Sequence, residues 1–140
     1  MKKYLLSFLI FFSFSIVTYA QGYYYGDTQY EQKKEQASIT FKNRSDYSMV
    51  VKIIKSYGGL YETVYLGAQS SRTVKFGTSA SYRLKIKATH NGHTSYHKGG
   101  NFSVTCTATE WTEGSMEFRM STYGSGLGPT ISAKEFEKNE

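Results

Sequence analysis

All three histidines of the chain, His90, His93 and His97, fall within the stretch Thr89 to Gly100. Imidazole nitrogens ligate Zn²⁺, Cu²⁺ or Ni²⁺, and they exchange protons near neutral pH. A glycine-bearing loop can bring three rings together, so a metal-binding module holding Zn or Cu on His90, His93 and His97 is one functional reading. Against it, their spacing follows no recognised ligand pattern, and Asn91-Gly92 reads as a turn that makes the stretch a long hairpin connection. The leading expectation is a polar surface loop with no cofactor, and a recognition loop or metal loop is the alternative.

Hydrolysis asks for more than a base. It needs an activated nucleophile or a metal, and donors for the developing negative charge. The chain has no Gly-x-Ser-x-Gly elbow, phosphate-cradling glycine loop or His-Glu-x-x-His pattern. Glu110 and Glu113 bracket Trp111 in an expected turn, and Glu117 falls on the outer side of the last strand. A carboxylate pair for sugar cleavage needs a set separation across a cleft, which nothing in this spacing fixes. These acids read as a solvated face balancing lysine and arginine. A small secreted hydrolase is therefore the third reading, and the chain is expected to be noncatalytic.

Contacts with a partner have better candidates. Arg83, Lys85 and Lys87 alternate with Tyr82, Leu84, Ile86 and Ala88, which puts a basic stripe on one face of a strand. Between Ala37 and Tyr123 there are eleven basic and five acidic residues. Such a stripe can meet phosphate, an acidic glycan, an anionic membrane or an acidic protein; equally, it keeps a sheet face soluble and discourages edge pairing. Nucleic acid is not the expected partner, because no aromatic stacking platform is interleaved with the cations. Tyr23, Tyr24 and Tyr25 are candidate docking residues, since tyrosines anchor interfaces. Trp111 is expected to cap the core; if exposed beside Tyr96, the two would form a contact surface. Cys106 is expected to be buried and inert. Asn43-Arg44-Ser45 and Asn101-Phe102-Ser103 match the N-glycosylation triplet.

The elements that must position these residues are strands. Strict period-two alternation marks Tyr82 to Ala88, Asn101 to Ala108 and Ser115 to Ser121, and shorter candidates are Ser38 to Lys42, Ser48 to Lys55, Leu60 to Leu66 and Arg72 to Phe76. Met49, Val51 and Ile53 alternate with Val50, Lys52 and Ile54, so this strand is apolar on both faces and is expected to be central or covered by the tail. Gly58-Gly59 signals a hairpin turn. About seven short strands with regular turns predict an all-β, antiparallel two-sheet sandwich over residues 37–123, loosely immunoglobulin-like; a small, partly open β-barrel is the alternative. Residues 21–36 are expected to be a flexible, tyrosine-rich lead-in. Residues 124–140, with Gly124, Gly126 and Gly128 ahead of a short helical turn, are expected to be a flexible or weakly docked tail.

Residues 1–20 have the three parts of a secretory signal peptide. Lys2 and Lys3 are followed by an apolar run from Leu5 to Val17, then Thr18-Tyr19-Ala20 as the exit. The serine-interrupted run is short for a membrane span, so the mature chain is expected to have no integral membrane span. Cleavage removes two of the six net positive charges, leaving +4. One cysteine cannot form an internal disulfide, so packing must hold the exported domain. The expected location is periplasmic, cell-surface or extracellular. The expected function is a noncatalytic binding or structural module contacting an envelope or extracellular protein, with an acidic glycan as a further candidate.

Overall fold

The computed structural model describes residues 36–121 and 124–140. The expected signal peptide and the tyrosines Tyr23, Tyr24 and Tyr25 lie outside these described residues. Seven main strands form: β1 Ala37–Asn43, β2 Ser48–Lys55, β3 Leu60–Leu66, β4 Ser71–Phe76, β5 Ala80–His90, β6 His93–Val104 and β7 Glu113–Phe118. A ribbon of β8 Met120–Ser121 and β9 Gly124–Ser125 follows, then one helix, α1 Ala133–Glu137. Among the described residues no helix is long and apolar enough to cross a membrane.

The strands build a β-sandwich. One sheet has the order β4-β1-β7 and the other β3-β2-β5-β6. All pairings are antiparallel except β1 with β7, which run parallel with Ser38 opposite Glu113. Each sheet keeps its own outer strands, so the described strands do not close into a barrel. The alternation seen in sequence is the burial pattern of the strands: every second residue of β1 is buried. Tyr82, Leu84, Ile86 and Ala88 of β5 face the core, with Arg83, Lys85 and Lys87 on the outer side.

Aromatic rings fill the space between the sheets. Phe76 packs at 5.0 Å from Tyr82, and Phe41 stacks on Phe118 at 6.1 Å between centroids. Full burial of such side chains contributes about 1.5–3 kcal/mol each. Burial raises the phenol pKa values of Tyr61 and Tyr82; Glu62 adds to the effect at Tyr61, and Tyr61 and Tyr57 add to it at Tyr82. Cys106 is buried. Asn43, at the end of β1, is fully buried. Its amide donates to the carbonyls of Tyr47 at 2.6 Å and Gly67 at 2.9 Å, and its oxygen accepts from the Ser45 backbone and hydroxyl. With both ends occupied, the Asn43 triplet has no room for a glycan in the folded domain, whereas Asn101 is exposed.

Three expectations need correction. The histidine stretch is not a long loop: β5 and β6 continue to a two-residue turn at Asn91-Gly92, with His90 opposite His93. Asn91 and Gly92 have φ of 49° and 76°, the left-handed pair that suits the twist of a tight hairpin. The inward alternation of the sixth strand stops at Cys106, and Ala108 is exposed in the Thr107–Glu110 turn. The C-terminal segment, expected to be loose or weakly docked, is packed along the four-stranded sheet. Leu127 enters the core, the chain pairs with the β6 edge through Lys98 N to Pro129 O and Ile131 N to Tyr96 O, and Phe136 is buried. Backbone pairing supplies the docking that three apolar side chains could not.

Candidate functional site

The outer face of the β3-β2-β5-β6 sheet carries Arg83, Lys85, Lys87 and Tyr96 among the candidate contact residues, and the C-terminal segment divides it. The Ser132 side chain caps α1 by accepting from Glu135 N. The other end of α1 is held by two ammonium groups. Lys85 Nζ donates to the carbonyls of Glu135 at 2.7 Å and Lys138 at 2.8 Å. Lys52 Nζ donates to Phe136 O at 2.9 Å and Asn139 Oδ1 at 3.1 Å, and it lies 4.8 Å above the Phe136 ring. A helix end leaves carbonyls without intrahelical partners, and these lysines supply the donors. Tyr96 is covered as well, 5.3 Å from the Phe136 ring.

The basic stripe is thus split. Lys85 is only 6% exposed and serves the tail. It is not an open partner contact, because the helix carbonyls take up its donors. Lys87 remains half-buried near the β5–β6 turn. Arg83 lies at the border. It lines a small cavity of about 60 Å³ under the tail, shared with Lys85, Lys98, Glu135 and Glu140. It also lines an open groove of about 450 Å³ with Ser56, Ser81, Asn101 and Ser103, bordered too by the core-facing Tyr82 and Phe102. The cross-strand register sets this groove: Ser81 pairs with Ser103 and Arg83 with Asn101, while Ser56 N bonds to Ser81 O.

Arg83 Nε is buried with no hydrogen-bond partner among the described residues. Two of the other arginines, Arg44 and Arg119, pair with Glu117, at 3.5 and 3.1 Å. No carboxylate lines the groove. Ser81 Oγ and Ser103 Oγ bond each other at 2.7 Å. Chemically, the groove offers a guanidinium, three hydroxyls and one amide, a set able to hold an anionic, hydroxyl-rich group.

The histidines do not converge. His97 faces inward at the edge of β6 and is 3% exposed. Its Nδ1 lies 3.2 Å from Gly128 O and its Nε2 2.8 Å from Ser95 Oγ. A carbonyl only accepts, so Nδ1 is the donor in the first bond; the ring pins the tail to the sheet. His90 stands at the hairpin end against Tyr47, 4.8 Å between centroids, and His93 opposite it is exposed. Among the described residues no three His, Cys, Asp or Glu side chains gather to hold a metal ion. Trp111 is half-buried against the core beside Cys106, and its Nε1 donates to Glu113 Oε1 at 3.3 Å.

Sequence reasoning found Arg83 but missed Ser56, Ser81, Asn101 and Ser103. Ser56 and Ser81 fall just outside the strands expected from sequence, and Asn101 and Ser103 stood out only as a glycosylation triplet at the start of a strand. Comparison with protein-family models, curated proteins and solved structures finds no match to this chain.

Proposed function

We propose that this chain is an exported, noncatalytic binding module that contacts an envelope or extracellular component through the groove around Arg83. One observation carries the reading: a partly desolvated guanidinium without a partner, set in a hydroxyl-lined groove that contains no carboxylate. A partly desolvated, unpaired guanidinium is costly, and an anion at its open edge offsets part of that cost. His97 and Lys85, by contrast, are committed to holding the tail.

The test is a crosslinked pulldown from native cells with the wild-type protein, Arg83→Gln and Lys87→Gln. Capture lost with Arg83→Gln and kept with Lys87→Gln supports the groove as the interface. Capture unchanged by Arg83→Gln overturns it. Capture lost instead on deleting Tyr23 to Tyr25 moves the interface to that segment. Loss with Tyr65→Ser alone moves it to the outer strand β3, where Leu60 and Tyr65 are exposed beside Tyr57 of the preceding turn.

A further inference from the structure

Resting on the reading of this groove as the binding surface, we infer that its ligand is an acidic saccharide, a sugar chain bearing carboxylate or sulfate groups, with Arg83 as the anchor. The charge argument comes first. Arg83 makes no ion pair or side-chain hydrogen bond among the described residues, and only its Nε is buried without a partner. The Nη nitrogens are therefore not closed off, at the border between this groove and the cavity that Glu135 and Glu140 line. A planar, always-charged fork of this kind recognises oxyanions by paired N–H donors. Partial desolvation of Nε strengthens the field felt by an anion at the open edge.

The remaining lining selects among anions. Ser56, Ser81, Asn101 and Ser103 each carry groups that both donate and accept, as sugar hydroxyls do. Ser81 and Ser103 spend one donor on each other and keep the second hydroxyl proton for a ligand. The groove presents no aromatic anchor: Tyr82 and Phe102, 2% and 6% exposed, stack on each other at 5.3 Å with their rings in the core. Protein interfaces concentrate their energy in buried aromatic and arginine anchors with matching pockets, and this open groove offers no aromatic pocket of that kind. Its volume of about 450 Å³ lies within the ~300–1,000 Å³ range of small-ligand sites, enough for a short stretch of a sugar chain. The exposed serines and asparagine around one arginine thus suit a hydroxylated anion better than an acidic peptide.

The test uses ¹⁵N-labelled protein produced from the full-length sequence, titrated with a uronic-acid oligosaccharide, a sulfated oligosaccharide, a neutral oligosaccharide of equal length and an acidic peptide. Either acidic sugar should move the amide signals of Ser81, Arg83, Asn101 and Ser103, and the stronger of the two names the oxyanion. Arg83→Gln should weaken that binding about tenfold or more, the loss expected for a charge-assisted hydrogen bond. Arg83→Lys, which keeps the charge but not the fork, should fall between. Spectra of the free variants that superpose away from the groove show that the fold persists. Equal binding of the neutral sugar overturns the role of the charge. Preferential binding of the peptide overturns the sugar assignment. No shift with any probe overturns the inference; a pulldown that still depends on Arg83 would then leave the groove as the interface and remove only the ligand class.

Discussion

Replacing Lys85 by methionine should release the C-terminal segment from the sheet without unfolding the sandwich. The Lys85 ammonium holds two helix-end carbonyls, Glu135 O at 2.7 Å and Lys138 O at 2.8 Å. Hydrogen bonds to a charged group contribute about 1.5–3 kcal/mol each. These two share one ammonium, however, and the carbonyls regain water when the tail lifts. The 3.5 Å contact with the half-exposed Glu135 carboxylate adds little, since screening holds exposed pairs to ~0–1 kcal/mol. Methionine fills the same space and relieves the desolvated charge, which offsets part of the loss. A net cost of about 2 kcal/mol results, or a roughly 30-fold rise in tail opening. Native-state hydrogen exchange measures it directly. The Ile131 and Phe136 amides, bonded to Tyr96 O and Ser132 O, should exchange about 30-fold faster, and the β2 and β5 amides should be unchanged. Lys87→Met is the control, and Lys52→Met added to Lys85→Met should deepen the effect. Equal exchange in Lys85→Met and Lys87→Met would refute the reasoning.

Other perturbations test different parts of the structure. Gly128 has φ +98°, and a Cβ there would collide with the Lys98 carbonyl oxygen; Gly128→Ala should detach the edge pairing at Lys98 and Tyr96, seen as rapid exchange of the Lys98 and Ile131 amides. Asn43→Ala strands two part-buried carbonyls and the buried Ser45 donors, so the urea midpoint should fall by the equivalent of about 2–4 kcal/mol with an unchanged slope. Burial raises the phenol pKa of Tyr61 and Tyr82, so the folded state binds these protons more tightly than the unfolded chain. The resulting stability is complete below the ordinary tyrosine value near 10 and is lost as pH rises above it. Thermal melts should show this alkaline loss, and Tyr61→Phe and Tyr82→Phe should each reduce it.

Most strands were legible because their apolar residues alternate against a single core. The bounds of β2 and β3 coincide with the expected segments, and β5 extends the Tyr82–Ala88 run by two residues at each end. The first half of β6 was illegible for a physical reason. Its inward positions include Ser95 and His97, and its outward Tyr96 is covered by the tail, so no hydrophobic alternation marks it. The Asn91-Gly92 pair was the available signal for a two-residue hairpin. The docking of the tail was hidden because lysine donors on helix carbonyls and backbone pairing at Pro129 and Ile131 leave no hydrophobic trace. The stripe of Arg83, Lys85 and Lys87 was visible as a unit. Its division could not be read without knowing where the chain returns, because only the return buries Lys85 and leaves Arg83 at an open groove.

The arginine side-chain signals give the most direct test of the groove as the binding surface. In a ¹⁵N–¹H spectrum the Nε–H groups of Arg44, Arg72, Arg83 and Arg119 can be followed separately while envelope polysaccharide from the native cells is added. The expected result is a saturable shift confined to Arg83, lost in competition with a free acidic oligosaccharide. A shift centred on Arg44 and Arg119, or an unmoved Arg83 signal at saturating polysaccharide, would contradict it.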